Sequence, residues 1–168
     1  MNKTIKTILE YLLIIVVVII IRMFIVTPIE VNGSSMEDTL YDNDIMLLNI
    51  IGYKTTGIKR FDIVVIKYGN EHLIKRVIGL PGEKVEYIDE KLYINGKHIE
   101  DVVSAKTGDY STTLLKSDGI IPENKYFVLG DNRGSSADSR IIGFIDGNDI
   151  LGKTSFIIWP LKHFGKVK

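Results

Sequence analysis

Four short segments carry the residue types best suited to nucleophilic chemistry: Gly33-Ser34-Ser35-Met36, Ile74-Lys75-Arg76-Val77, Gly130-Asp131-Asn132-Arg133 and Ser136-Ala137-Asp138-Ser139-Arg140. Small residues ahead of Ser35 let backbone amides come close to a reacting carbonyl, and such amides stabilise the oxyanion of acyl transfer. Ser34 is an equal candidate by residue type, and a plain serine-rich turn would have the same composition. A serine nucleophile needs a base, and a lysine serves only when neutral. With an ordinary pKa near 10.4, fewer than about one lysine in a hundred is neutral at pH 8. Burial can lower that value by about 3–5 units, and Lys75 lies among Leu73, Ile74, Val77 and Ile78. In the last two segments a hydroxyl can orient the amine, and Asp138 and Arg140 can pair. The same Gly, Asp, Asn and Ser residues also favour ordinary turns.

Competing chemistries have less to stand on. His98 follows a turn and His163 sits in a basic tail, both reading as exposed, while strand alternation puts His72 on the face opposite Lys75. A Ser-His-Asp triad is therefore disfavoured. Cysteine is absent, which excludes disulfides and thiolate chemistry. No cluster has metal-ligand spacing, and Asp42-Asn43-Asp44 lacks the rest of a calcium loop; neither metal nor cofactor is implied. With 21 basic and 21 acidic residues, the chain offers no electrostatic footprint for nucleic acid.

The elements that must position these residues begin with an apolar run. Residues 8–26 hold only Glu10 and Arg22 as charges, both near the ends. At about 1.5 Å per residue they just cross a hydrocarbon core of about 30 Å. No small-x-small exit follows, so the run reads as an uncleaved anchor rather than a signal peptide. Lys3 and Lys6 place residues 1–7 in the cytoplasm, which puts residues 27–168 outside a cell membrane crossed once. Pro28 is expected to end the helix. Beyond it the reading is mainly β. Ile45-Met46-Leu47-Leu48, Ile63-Val64-Val65-Ile66 and Phe127-Val128-Leu129 are strand-prone runs, and Asn95-Gly96 marks a hairpin between Leu92 and Ile99. Residues from about 83 to 122 interrupt the chemistry-bearing segments and read as a smaller inserted β lobe.

Taken in order, these segments resemble the bacterial type I signal peptidases, in the small single-anchor form. The resemblance rests on the anchor, Ser-Met-x-x-Thr-Leu at 35–40, Ile-Lys-Arg-Val-Ile-Gly-Leu-Pro-Gly at 74–82, Gly-Asp-Asn-Arg-x-x-Ser-x-Asp-Ser-Arg at 130–140, Leu151-Gly152-Lys153 and Trp159-Pro160. It implies a two-lobed, β-rich domain of the signal-peptidase and repressor-peptidase type whose apolar surface dips into the membrane. It implies a serine endopeptidase removing signal peptides from exported preproteins after small-x-small sequences such as Ala-x-Ala. Ser35 would be the nucleophile and Lys75 the general base. Ser136 would position the lysine, Asp138 and Arg140 would form the supporting pair, and the Ser35 amide would donate to the oxyanion. Substrate would add as a strand, its small side chains entering pockets lined by Ile29, Val31, Met36, Leu40, Leu73 and Ile74. The partners are then secreted preproteins and membrane lipid, with the chain acting as a monomer.

Two positions depart from the family pattern. Asp38 stands where proline is usual, and Gly33 where some members carry a hydroxyl. Two other readings remain at this point: a catalytically silent, membrane-anchored assembly factor or chaperone, and a self-cleaving repressor domain. The anchor and the lack of a DNA-binding helix pair count against the second.

Overall fold

The structure, a computed structural model, describes residues 3–24 and 26–167, and the side chains at 20–24, 26, 51, 52 and 54 lie outside that description. Residues 1 and 2 of the expected cytoplasmic segment are outside it as well. Helix α1 (Lys3–Phe24) precedes strand β1 (Val26–Glu30). The helix thus ends before the expected residue 26, and Pro28 does not end it. Pro28 sits inside β1 opposite Leu47, at the edge of a sheet, where its missing N–H interrupts no central ladder. From residue 3 to 19 every side chain of α1 is exposed, so the rest of the protein does not cover it. Among the described residues no helix is long and apolar enough to cross a membrane.

The body is mainly β. Strand β2 (Ile45–Asn49) returns along β1, helix α2 (Ile50–Thr56) follows, and β3 (Ile63–Tyr68) turns tightly into β4 (Glu71–Gly79). A second set of short strands comes next: β5 (Val85–Ile88), β6 (Lys91–Ile94), β7 (Lys97–Ile99) and β8 (Tyr110–Ser111). Asn95 and Gly96 close the β6–β7 hairpin with φ of 52° and 77°, as a type I′ turn requires. The chain then re-enters the first sheet with β9 (Lys125–Leu129), helix α3 (Ser139–Ile142), β10 (Ile145–Asp146), β11 (Ile150–Trp159) and β12 (Gly165–Lys166). Among the described residues the first sheet has eight strands in the order β1-β2-β11-β3-β4-β9-β10, with β12 on β11, and the second has four in the order β7-β6-β5-β8.

Burial follows the period of two. Ile63 and Val65 face one apolar cluster with Val31, Met36, Leu40, Met46 and Ile74. Val64 and Ile66 face another with Val77, Val128 and Ile150. A third cluster, including Ile78, Tyr87, Leu92 and Phe127, joins the two sheets. With both faces covered, β4 is buried continuously from Ile74 to Gly79.

The pairing leaves two open edges that matter for the site. Among the described residues strand β1 pairs only with β2. Strand β4 pairs with β3 along Glu71 to Arg76, but with β9 only from Arg76 onward. Residues 71–75 therefore keep one unpaired edge. The basic C-terminal segment is tied in: Phe156 pairs with Lys166, and the Val167 amide donates to the Ser155 carbonyl.

Candidate active site

The segment leaving β1 is held at its base by two backbone bonds, Val31 N–H to Asp44 O and Asn43 N–H to Val31 O, at 2.8 and 2.9 Å. Gly33 turns it with φ +87°, a region that favours glycine, and its amide donates to Asp42 Oδ1 at 2.6 Å. The chain after Ser35 folds into a tight turn, in which the Thr39 and Leu40 amides both donate to Met36 O at 2.8 Å. Asp38, where the family pattern has proline, lies in this closed turn.

Lys75 enters from β4 and is only 2 % exposed. Its Nζ lies 2.6 Å from Ser35 Oγ, and it also donates to Ile74 O at 3.0 Å. Burial among apolar residues drives the amine below its usual pKa, while the Asp138 and Asp131 carboxylates pull weakly the other way. Desolvation wins because an ammonium loses more hydration there than the two carboxylates restore.

The loop after β9 closes the third side. Asp138 is fully buried; it accepts from the Gly130 amide at 3.0 Å and caps α3. Arg140 reaches it with Nε and Nη2 at 2.9 and 2.8 Å, and donates Nη2 to Arg133 O. The expected pair is therefore formed. Ser136 Oγ is buried and has no hydrogen-bond partner among the described residues. It packs where a side chain at Gly130 would otherwise be, beside the Ser35 carbonyl. Among the described residues Lys75 and Ser136 are not hydrogen-bonded to each other, and the Ser35 amide has no acceptor.

A cleft beside the pair is lined by Val31, Ser35, Met36, Leu73, Ile74 and Lys75, among others. Ile29 lines its continuation. Leu40, expected as a pocket residue, is fully buried beneath it in the first apolar cluster and lines neither space.

Several contacts escaped the sequence reading. Asn132 clamps the nucleophile segment from the facing loop: its amide donates to Ser35 O and its Nδ2 to Ser34 O, each at 3.1 Å. Arg76 and Asp131 form a bidentate pair at 2.9 and 2.6 Å, both buried. His163, expected to be exposed, is half-buried with Nδ1 2.7 Å from buried Asp44 and its ring 5.0 Å from that of Tyr41. Segment Gly130-Asp131-Asn132-Arg133 stood out as polar, but its partners do not follow from a local pattern. His72 is exposed and makes no hydrogen bond to Ser35. Among the described residues no group of His, Asp or Glu could hold a metal.

The serine hydroxyl and the buried lysine amine thus meet at a small cleft. A family model for signal peptidases of peptidase family S26 matches residues 4–159. The chain belongs to this family. It is similar to signal peptidase IB of Staphylococcus aureus strain COL, at 42% identity over 95% of this chain and 93% of that one. It is also similar to signal peptidase I of Bacillus caldolyticus, at 38% identity over 88% and 87%. A crystal structure of a signal peptidase I from Enterococcus faecalis V583 superposes with a TM-score of 0.52 at 37% identity, covering 57% of this chain and 95% of that one. As an S26 signal peptidase, this protein is a serine endopeptidase that removes signal peptides.

Proposed function

We propose that Ser35 and Lys75 perform that cleavage as a dyad. The observation that carries this is the 2.6 Å contact between Ser35 Oγ and the amine of a lysine that is 2 % exposed. Neutral Lys75 takes the hydroxyl proton as Ser35 Oγ attacks the scissile carbonyl, then returns it to the leaving amine. A water that yields its proton to Lys75 then hydrolyses the ester, and the proton returns to Ser35. The Ser35 amide, with no acceptor among the described residues, donates to the oxyanion. Ser136 supplies a hydroxyl beside this centre, and Asp138 and Arg140 hold its loop in place.

Substrate adds as a strand between the open edges of β1 and residues 71–75 of β4. Val31, Met36 and Ile74 are buried side chains that leave only small pockets, which suits alanine-sized residues at the first and third positions before the cut. One or two additional methylenes there cost about 1–3 kcal/mol of discrimination. Helix α1 is the membrane anchor, with its N-terminus cytoplasmic and the β body outside. Its exposed Leu, Ile and Val side chains support this, as does the continuation of the apolar run into residues whose side chains lie outside the described ones.

The deciding experiment is cleavage of a preprotein bearing Ala-x-Ala by the full chain in detergent, with Ser35→Ala and Lys75→Ala beside it. The expected result is one cut after the second alanine by the wild type and none by either variant. Full activity in Lys75→Ala would overturn the assignment of the base. A folded wild type that cuts nothing would favour the silent assembly role.

A further inference from the structure

The cleft at the dyad does not stop at Leu73. It shares Glu30, His72 and Leu73 with a larger cleft that continues along the open edge of β4 to Asn70 and Glu71. At about 3.3 Å per residue, the four-residue step back from Lys75 places Glu71 roughly 13 Å along the strand. An extended chain cut beside Ser35 therefore brings about its fifth residue before the cut to that end.

The two ends differ in chemistry. Near the dyad the walls are Val31, Met36 and Ile74, all buried. Further out, Glu71 on β4 lines only the continuation, while Glu30 on β1 lines both the dyad cleft and that continuation, and both are exposed. Among the described residues neither carboxylate has an ion-pair partner. Lys67, the cross-strand neighbour of His72, belongs to β3, one strand further off, and does not line the cleft.

We propose that Glu30 and Glu71 form a charge-reading subsite, which favours a basic over an acidic residue at about the fifth position before the cut. The proposal rests on the dyad and groove reading above. Because both carboxylates are exposed, the preference is modest, about two- to fivefold in kcat/KM between lysine and aspartate, and screened by salt.

The test uses the full chain in detergent at pH 8 with three Ala-x-Ala peptides carrying Lys, Gln or Asp at that position. For the wild type the order Lys, Gln, Asp is expected, with the Lys-to-Asp ratio falling toward one as salt is raised. Glu30→Gln/Glu71→Gln should lose most of the ratio, while Glu100→Gln, at an exposed position beyond β7, should keep it. A ratio near one in the wild type, or one that survives the double substitution, overturns the proposal alone. Failure of the wild type to cut even the Gln peptide overturns the dyad reading, and this proposal with it.

Discussion

A lysine amine acts as a base only when neutral, and burial lowers the pKa of the Lys75 amine against the pull of the Asp138 and Asp131 carboxylates. Activity should rise with pH as Lys75 loses its proton, with the ascending limb of kcat/KM centred below the ordinary lysine value of 10.5. A limb at or above that value would contradict the role of burial. The same depression has a sign for stability. Between the lowered pKa and 10.5 the unfolded chain binds the extra proton, so this lysine's contribution to stability grows as pH rises through that window and is unfavourable below it. Lys75→Met, inactive but similar in volume, should therefore gain more in Tm over the wild type at pH 6 than at pH 10. Asn132 works through the backbone of the nucleophile segment. Losing one such bond is worth about 1 kcal/mol, so Asn132→Ala should lower kcat about fivefold with KM nearly unchanged. An equal change in KM would point to substrate contact instead.

Strand alternation and turn residues made β2, β3, β9 and the β6–β7 hairpin legible, because burial with period two and a positive-φ Asn-Gly pair are local properties. The placement of the loop after β9 was not. Its position depends on Asp138, which simultaneously satisfies the Gly130 amide, the first turn of α3 and Arg140. Asp138→Ala leaves these donors without their acceptor and should destabilise the protein by about 3 kcal/mol, read as a lowered denaturant midpoint at constant slope. Gly130 is a tighter constraint. Any Cβ there overlaps Ser136 Oγ and the Ser35 carbonyl. Gly130→Ala should thus cost far more activity than stability, and a fully active variant would mean that this loop relaxes without disturbing Ser35.

Across the whole molecule, Arg133 ties the site loop to the second sheet, donating from Nη1 to Asp101 at 2.8 Å and to the Tyr87 hydroxyl at 3.0 Å. Removing the partner of the buried Arg133 guanidinium costs about 3–5 kcal/mol, so Asp101→Ala should lower stability although Asp101 makes no hydrogen bond to Ser35 or Lys75. Helix α1, exposed along residues 3–19, should keep the full chain in membranes through alkaline carbonate washing; release into the supernatant would count against an anchor. By itself the sequence determined the mainly β class, the apolar N-terminal run, and a serine, a lysine and a polar loop of the right types, because residue chemistry and burial period are written locally. Tertiary structure decided which of them meet. Ser35 and Lys75 are 40 residues apart, Ser34 and Asn132 98, and Asp44 and His163 119. Such meetings depend on which strand edges pair and which stay open, and that is settled by packing of the whole sheet rather than by any one segment.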